Sequence, residues 1–262
     1  MKIIVCIKQV PGATNVALDP ETGTMKRDGT RGRLNPFDLF AIEQALQLRE
    51  SYGGKVTVLS MGPTQAETSL KEALYMGVDD AYLICDKAMI GSDVLATSRA
   101  ISQAIQYIGK PDLVLCGKQT IDGDTAQVGP EVAEMLEIPH LTNVVCFKKY
   151  EKEKMTVIAA LEQGECTYRL KLPFLACMEK DSNTPRLPSY RCMKTMAACA
   201  VKRINLDDFT DREPSHYGIS GSATRVERIF APERGKIRSF CEGDAQTMAQ
   251  AFINVLKQEK IM

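Results

Sequence analysis

The chain has 262 residues, 44% of them hydrophobic, and its 33 lysines and arginines balance 33 aspartates and glutamates. A chain of this length and composition can bury most of its apolar surface in one or two domains. The balanced charge argues against nucleic-acid binding, and no apolar run approaches the roughly 18 residues that a membrane-spanning helix needs. No cleavage-site pattern follows the short apolar stretch at the start, so we expect a cytoplasmic protein without a membrane partner.

Apolar strands and helical patterns alternate through the first two thirds of the chain. Strands are predicted at 3–7, 56–60, 81–85 and 113–116, with helices near 36–52, 64–76, 93–108 and 125–137. This alternation predicts an α/β fold: a mostly parallel, Rossmann-like sheet with helices on both faces. Ligands of such sheets bind outside the carboxyl ends of the strands.

Two predicted helices begin with residues that suit a helix start. Asn35 can cap the first helix, Pro36 suits its first position, and Asp38 can complete the cap. Ser92 or Asp93 can cap the helix near 93–108 in the same way. These residues therefore have a structural explanation, and the alternative is that both helix starts face a ligand.

The segment from Gly117 to Pro130 carries the strongest functional signal. It joins a buried strand to a helix through a polar loop with Gly117, Gly123 and Gly129. Glycines let backbone approach a ligand, and a helix start offers unpaired N–H groups to an anion. The carboxylates of Asp122 and Asp124 repel phosphate, so we expect them to cap the helix or bind ribose. Nucleotide binding is one interpretation of this loop, and an ordinary capped turn is the other.

After residue 140 the pattern changes. Residues 144–178 read as short strands, predicted to be antiparallel and to extend the sheet. Residues 181–203 read as an exposed loop that recognises a partner, or as a simple connector. Residues 204–243 are polar and irregular, and a helix follows with one apolar face formed by Ala245, Met248, Ala249, Phe252, Val255 and Leu256. We therefore predict an α/β domain at 1–204 and a C-terminal arm at 205–262 that packs on a partner subunit.

Nine cysteines raise the question of a metal site. They form no CxxC pair, and several lie in apolar strands, where a thiol behaves as a small buried hydrophobe. We expect no metal and free thiols. The chain has two histidines, neither in a recognisable catalytic motif, so we expect no Ser/His or Cys/His hydrolase.

Five segments in this order resemble the beta subunit of electron transfer flavoproteins, over essentially the whole chain. They are VCIKQVP, RLNPFDLFAIEQAL, LSMGP, PDLVLCGKQTIDGDTAQVGPEVA and GECTYRLKLPFL. The resemblance implies a nucleotide-binding α/β fold that pairs with an FAD-carrying alpha subunit. It also implies that the beta site holds AMP in conventional carriers and a second FAD in the electron-bifurcating branch.

Three details of the sequence resemble the bifurcating branch. The loop reads DGDTAQVGP, where conventional subunits look like DDDCNQTGQ, and NPFD has an acid where they often have NPFC. The segment GSDVLATS also resembles the bifurcating pattern. A glycine in place of a carboxylate at position 123 removes bulk and negative charge, which suits a diphosphate better than a single phosphate.

The resemblance assigns cofactor contacts residue by residue. The adenosine end is expected at Cys6, Ile7, Lys8, Asn35, Pro36, Phe37, Asp38 and Met61. The diphosphate is expected along Thr120, Ile121, Asp122, Gly123, Asp124, Thr125, Ala126, Gln127, Val128 and Gly129. The flavin ring is expected near Ser92, Asp93 and Thr97.

The implied function is electron transfer within a complex. NADH gives a hydride to FAD in this subunit; one electron goes to ferredoxin and the other, through the alpha-subunit FAD, to an acyl-CoA dehydrogenase, reductase or other flavin dehydrogenase. The alternative is a conventional AMP-binding subunit that carries single electrons. By resemblance, 181–203 is the recognition loop for the acceptor, and its Leu187, Pro188, Ser189, Tyr190, Arg191 and Met193 depart from the commoner leucine-bearing loop with a lysine run.

Overall fold

A computed structural model describes residues 1–12, 32–196, 199–227 and 240–261. The chain divides into two compact units, Met1–Glu227 and Arg228–Met262. The strands are β1 (Lys2–Cys6), β2 (Gln9–Val10), β3 (Arg33–Leu34), β4 (Lys55–Met61), β5 (Asp80–Ile84), β6 (Leu113–Gly117), β7 (His140–Glu151), β8 (Lys154–Leu161), β9 (Gly164–Lys171), β10 (Phe174–Met178) and β11 (Lys202–Ile204). The helices are α1 (Pro36–Tyr52), α2 (Glu67–Met76), α3 (Val94–Ile108), α4 (Val128–Met135), α5 (Tyr190–Met196), α6 (Gly218–Gly221) and α7 (Ala245–Gln258).

The larger unit is built on a 9-stranded sheet in the order β11-β5-β4-β1-β6-β10-β7-β8-β9. All neighbours from β11 to β7 are parallel, and β8 and β9 continue as an antiparallel meander. The predicted α/β class with a mostly parallel sheet and an antiparallel extension is confirmed. A separate ribbon pairs β2 with β3 in antiparallel orientation.

Helices cover both faces of the parallel strands. Ile42 of α1 and Leu70 of α2 are fully buried in one apolar cluster with Val58 of β4. On the opposite face, Val132 of α4 and Ala100 of α3 are buried with strand side chains in a second cluster. Because both faces are covered, the central strands are nearly continuous apolar runs, as in the KIIVC of β1.

The strand β10 differs from the prediction for residues 144–178. The antiparallel β7–β8–β9 meander occurs as predicted, but β10 returns to the middle of the sheet and lies parallel to β6. All five of its residues are buried. Its sequence FLACM is apolar on both faces, which is typical of a central parallel strand, whereas β9 has no buried residue and is mostly exposed.

The segment predicted as a loop at 181–203 contains α5 and β11. Within its described part, Leu187 and Tyr190 are exposed, as expected for a segment that contacts a partner. Residues 197–198 of this segment lie outside the described range. Its role in recognition stays a prediction.

The predicted arm at 205–262 begins inside the larger unit. Phe209 and Tyr217 are fully buried beside α3, with ring centroids 5.6 Å apart. Residues 228–239 and 262 lie outside the described range, so the arm's packing on a partner stays a prediction. In the smaller unit, Asp244 caps α7 by accepting a bond from the Thr247 N–H at 2.8 Å. Among the described helices, none has both the length and the apolar character required to cross a bilayer.

Candidate functional site

The sheet has a topological switch point between β1 and β6. From β1 the chain proceeds outward to β4 and β5, and it then crosses back to β6 on the other side of β1. Cys6 and Cys116 are register partners at the carboxyl ends of these two strands. In open α/β sheets a crevice forms at this point, and ligands bind there. The segments that follow β1 and β6 both enter this crevice.

Asn35 ties the start of α1 to the loop after β6. Its side chain is fully buried and its Nδ2 donates to Gln119 O and to Asp38 Oδ1, both at 2.9 Å. Its Oδ1 accepts from the Ile121 N–H at 3.3 Å. Asn35 occupies the cap position of α1, but its side chain makes no capping bond. The expected capping role is therefore wrong, because the side chain serves the neighbouring loop instead.

Asp38 links the start of α1 to the end of β1. It is buried, and its Oδ2 accepts a bond from the Lys8 N–H at 2.7 Å. Burial raises the pKa of its carboxyl to about 7, although the bonds from Asn35 and Lys8 oppose this shift. Asp38 is therefore a buried acid that titrates in the physiological range.

The three glycines of the predicted phosphate loop serve different purposes. A Cβ on Gly117 would lie 2.5 Å from Asp38 Oδ1, and a Cβ on Gly129 would lie 2.5 Å from Cys177 Sγ. Both glycines therefore permit close packing within the protein. A Cβ on Gly123 would have Thr120 Oγ1 as its nearest neighbour, at 3.5 Å. Gly123 is exposed, so the room beside it faces solvent.

The two carboxylates of the loop bond to neighbouring side chains. Lys8 Nζ contacts both oxygens of Asp122, at 2.9 and 2.8 Å. Burial opposes ionisation of Asp122, but hydrogen bonds from Lys8 and Thr120 lower its pKa below the usual value. Asp124 Oδ1 accepts from Gln119 Nε2 at 2.9 Å. No side chain caps α4, so the expected capping by these carboxylates is wrong, and ribose binding stays a prediction.

The loop reaches its helix later than predicted. Asp124 and Ala126 have φ angles of 50° and 56°, in the left-handed region, and α4 begins at Val128. Residues 122–127 are exposed, which leaves six consecutive residues accessible at the crevice. Thr125, Ala126 and Gln127 therefore lie on an extended rim and not within the helix.

The start of α3 has its polar groups engaged with the segment 218–224. Asp93 caps α3 through the Ala96 N–H at 3.1 Å, and its other oxygen accepts from Thr224 N and Oγ1 at 2.8 and 2.9 Å. Although burial opposes it, these bonds lower the pKa of Asp93. Ser92 Oγ accepts from Gly218 N at 3.1 Å. Of the two residues predicted as possible caps of this helix, Asp93 is the one that caps it. The proximity of Ser92, Asp93 and Thr97 to a flavin ring stays a prediction.

Two further predicted residues lie near the crevice. Ser98 Oγ donates to Val128 O at 3.5 Å, so Thr97 lies in a helix turn that adjoins the start of α4. Met61 is half-buried at the carboxyl end of β4, the strand that pairs with β1. Sequence reasoning did not select Gln119, whose carbonyl accepts from Asn35, although it lies within the recognised loop motif. It also did not select Ser222 and Thr224, which bond to Asp93 from about 130 residues away in sequence.

Three thiols lie side by side at the carboxyl ends of the central strands. Cys6, Cys116 and Cys177 are adjacent in register on β1, β6 and β10, and all three are buried. The contact with Cys116 and burial raise the pKa of Cys177 well above its usual value. All nine cysteines are free, as expected. The buried thiols act as packing groups beneath the loop.

Comparison with known proteins gives one consistent family. The profile of the "Electron transfer flavoprotein domain" matches residues 22–209. The chain is 42% identical over 265 residues to the electron transfer flavoprotein subunit beta of Thermoanaerobacterium thermosaccharolyticum, with 100% of both chains covered. It is 44% identical to Protein FixA of Sinorhizobium fredii, covering 88% of this chain and 84% of that protein.

A further relative is subunit CarD of the caffeyl-CoA reductase-Etf complex of Acetobacterium woodii. It is 38% identical over 264 residues, with 100% of both chains covered. The match in family profile and the full-length identity to named subunits agree with the motif resemblance and with the α/β fold. The chain belongs to the electron transfer flavoprotein family, as a beta subunit.

Proposed function

We propose that this electron transfer flavoprotein beta subunit binds FAD in the crevice between β1 and β6 and works in an electron-bifurcating complex. The diphosphate would lie along Thr120–Gly129. The adenosine end would lie against the segments that follow β1 and β4 and against the start of α1. The switch-point position of these segments supports the proposal, because it is where α/β sheets bind nucleotides.

The open space at Gly123 is the observation that favours a diphosphate over a single phosphate at this site. Beyond its chain neighbours, the nearest atom to the position that a Cβ would take is Thr120 Oγ1 at 3.5 Å, and the residue is exposed at the centre of the loop. Backbone can therefore approach a bulky anion here. A carboxylate at this position would fill the space and repel a second phosphate.

The charges of the loop also fit an anionic ligand. The ammonium of Lys8 neutralises Asp122 through two contacts, at 2.8 and 2.9 Å. Asp124 is turned toward the side-chain amide of Gln119. The exposed residues 123 and 125–127 then offer backbone N–H donors to phosphate, whereas the Asp124 N–H already donates to Thr120 O at 2.9 Å. One acidic charge of the loop is already compensated.

The chemistry that bound FAD supplies is two-electron oxidation of NADH with release of the electrons one at a time. In the proposed scheme one electron goes to ferredoxin, and the other goes through the alpha subunit to an acyl-CoA dehydrogenase, reductase or other flavin dehydrogenase. Electron transfer flavoprotein beta subunits pair with an alpha subunit, and CarD is named as part of a reductase complex. This chain binds, orients and shields the cofactor in the cytoplasm.

Extraction of the bound nucleotides tests the proposal. The chain is purified with its alpha subunit, denatured, and the released nucleotides are quantified by chromatography. We expect two FAD molecules per heterodimer. One FAD and one AMP would identify a conventional single-electron carrier and would refute the bifurcating assignment.

A further inference from the structure

The polar groups of Asn35 and Asp38 are used within the protein. Asp38 Oδ1 accepts from Asn35 Nδ2 and Oδ2 accepts from the Lys8 N–H, and the Gly117 backbone also bonds to this carboxylate. Asn35 also bonds to the backbone of Gln119 and Ile121. Both residues are buried, with 0% and 4% of their surfaces exposed. Their side chains are therefore committed to neighbouring backbone and not presented to a ligand.

These bonds join segments that are distant in sequence. Lys8 and Asp38 are 30 residues apart, and Asn35 and Gln119 are 84 residues apart. The end of β1, the start of α1 and the loop after β6 meet at this pair. Gly117 completes the contact, because only a residue without a Cβ fits against Asp38 and Phe37.

We propose that Asn35 and Asp38 are positioning residues of the nucleotide site. They hold the two walls of that site, the segment after β1 and the loop after β6, at a fixed separation, and they act on the ligand through the backbone of Lys8, Gln119 and Ile121. The inference rests on the proposed nucleotide site and adds how that site is held. It separates these two side chains from groups that touch the ligand directly.

The surroundings of Asp38 make this arrangement depend on pH. The groups that face it are the Lys8 backbone and ammonium from the end of β1, the Asn35 amide, the Gly117 backbone, and the Cys116 thiol of β6. Lys8 itself is paired with Asp122. Burial raises the pKa of Asp38 to about 7. The ionised carboxylate accepts both N–H bonds, whereas the protonated acid places a hydroxyl against one of the donors. The walls are held more firmly above this pKa.

The test compares Asp38→Asn with Asp112→Asn in the full-length chain bound to its alpha subunit. Asp112 is a matched control because its Oδ2 likewise accepts a backbone bond from a β1 segment, from the Lys2 N–H at 2.6 Å, but at the amino ends of β1 and β6, away from the proposed site. FAD affinity is measured by equilibrium binding between about pH 6 and about pH 8.5. FAD is the probe because a phosphate monoester such as AMP titrates near pH 6 itself.

We expect wild type and Asp112→Asn to bind FAD several-fold more weakly at the low end of this range. Asp38→Asn should bind roughly tenfold more weakly than wild type at the high end, with no dependence on pH, because one carboxylate bond is lost. Wild-type affinity in Asp38→Asn overturns the proposal. So does tighter binding by the wild type at low pH, which would make Asp38 a repelling charge.

If Asp38→Asn does not fold, the dependence of wild-type FAD affinity on pH decides, and an affinity that does not change with pH overturns the proposal. The nucleotide extracted from the wild type reports on the proposed function alone. If that nucleotide is AMP, the FAD assignment fails. The positioning role is then tested by comparing AMP affinity of the wild type and Asp38→Asn at and above about pH 7.5, where the AMP phosphate is already ionised. A lower AMP affinity in Asp38→Asn supports the positioning role, and an unchanged affinity overturns it.

Discussion

Lys8 and Asp122 form a two-point ion pair that bridges the end of β1 and the loop after β6. The ammonium contacts both carboxylate oxygens, at 2.9 and 2.8 Å, across 114 residues of sequence. The side chains are 45% and 26% exposed. An ion pair this exposed contributes at most about 1 kcal/mol to stability. Its larger effect is on charge, because it compensates a carboxylate in a loop proposed to bind phosphate.

Lys8→Gln should weaken FAD binding roughly tenfold while leaving the fold intact, because it exposes the ligand to an uncompensated Asp122. Lys8→Gln/Asp122→Asn should recover most of the affinity, since both charges are then removed. Lys118→Gln is the control, because Lys118 pairs with Glu179 at 2.7 Å beside the same strand ends. Flavin fluorescence titration measures the affinities, and an unchanged affinity in Lys8→Gln would contradict the assigned role.

Gly123→Asp should remove FAD from the beta site with little change in stability. The position is open to solvent, so the side chain is accommodated, but its charge at about 5 Å from a phosphate costs roughly 3 kcal/mol at an effective dielectric constant of 20. Gly123→Ala is the matched control and should retain FAD, because it adds bulk without charge. The flavin content and thermal unfolding of the purified heterodimers check both expectations. Full flavin content in Gly123→Asp would place the diphosphate elsewhere.

Gly129→Ala tests the packing role of the glycine at the start of α4. Alanine is favoured over glycine within a helix by about 1 kcal/mol. A Cβ here would nevertheless lie 2.5 Å from Cys177 Sγ in a packed core, and overpacking costs about 1–3 kcal/mol. We expect a net loss of stability in denaturant unfolding. Gly129→Ala/Cys177→Ala should recover much of it by removing the sulfur, and a stable single variant would show that α4 shifts freely.

Local patterns in the sequence predicted most of the fold. The helix α1 begins at Pro36 and ends at Tyr52, as predicted, because proline suits a first turn and the apolar positions repeat. The start of α4 was predicted three residues early, at Thr125. The left-handed φ angles of Asp124 and Ala126 delay it; aspartate is enriched in this conformation, but alanine is not, so the sequence does not signal the second left-handed residue.

Contacts between distant segments could not be predicted in this way. The reason for glycine at position 129 is a sulfur 48 residues further along, and the partners of Asp93 lie beyond residue 220. Asn35 looked like a cap because the local sequence allows one, but the buried loop backbone competes successfully for its amide. The motif therefore located the site, while the bonds that hold it depend on the tertiary fold.

Arg186 fastens the predicted recognition segment, residues 181–203, to α1. Its Nε and Nη2 donate to the two oxygens of Glu43, at 2.8 and 3.0 Å, and its backbone N–H donates to the same carboxylate at 3.1 Å. Its remaining nitrogen contacts Glu50. Burial opposes ionisation of Glu43, but the bonds from Arg186 and Gln47 lower its pKa. The exposed Leu187 therefore follows a firmly held residue.

Arg186→Met should destabilise the chain by about 2 kcal/mol and increase amide hydrogen exchange across the described part of 183–196. Glu43 is only 4% exposed, so removing its partner leaves a buried charge, and the partial exposure of Arg186 keeps the loss below that of a fully buried pair. Glu43→Met/Arg186→Met should restore much of the stability, because neither charge remains. Arg203→Met is the control: its pair with Glu67 is more exposed, with Arg203 58% accessible, and the loss there should stay below about 1 kcal/mol. Equal losses in the two single variants would show that Arg186 does not anchor the segment more firmly than an ordinary surface ion pair.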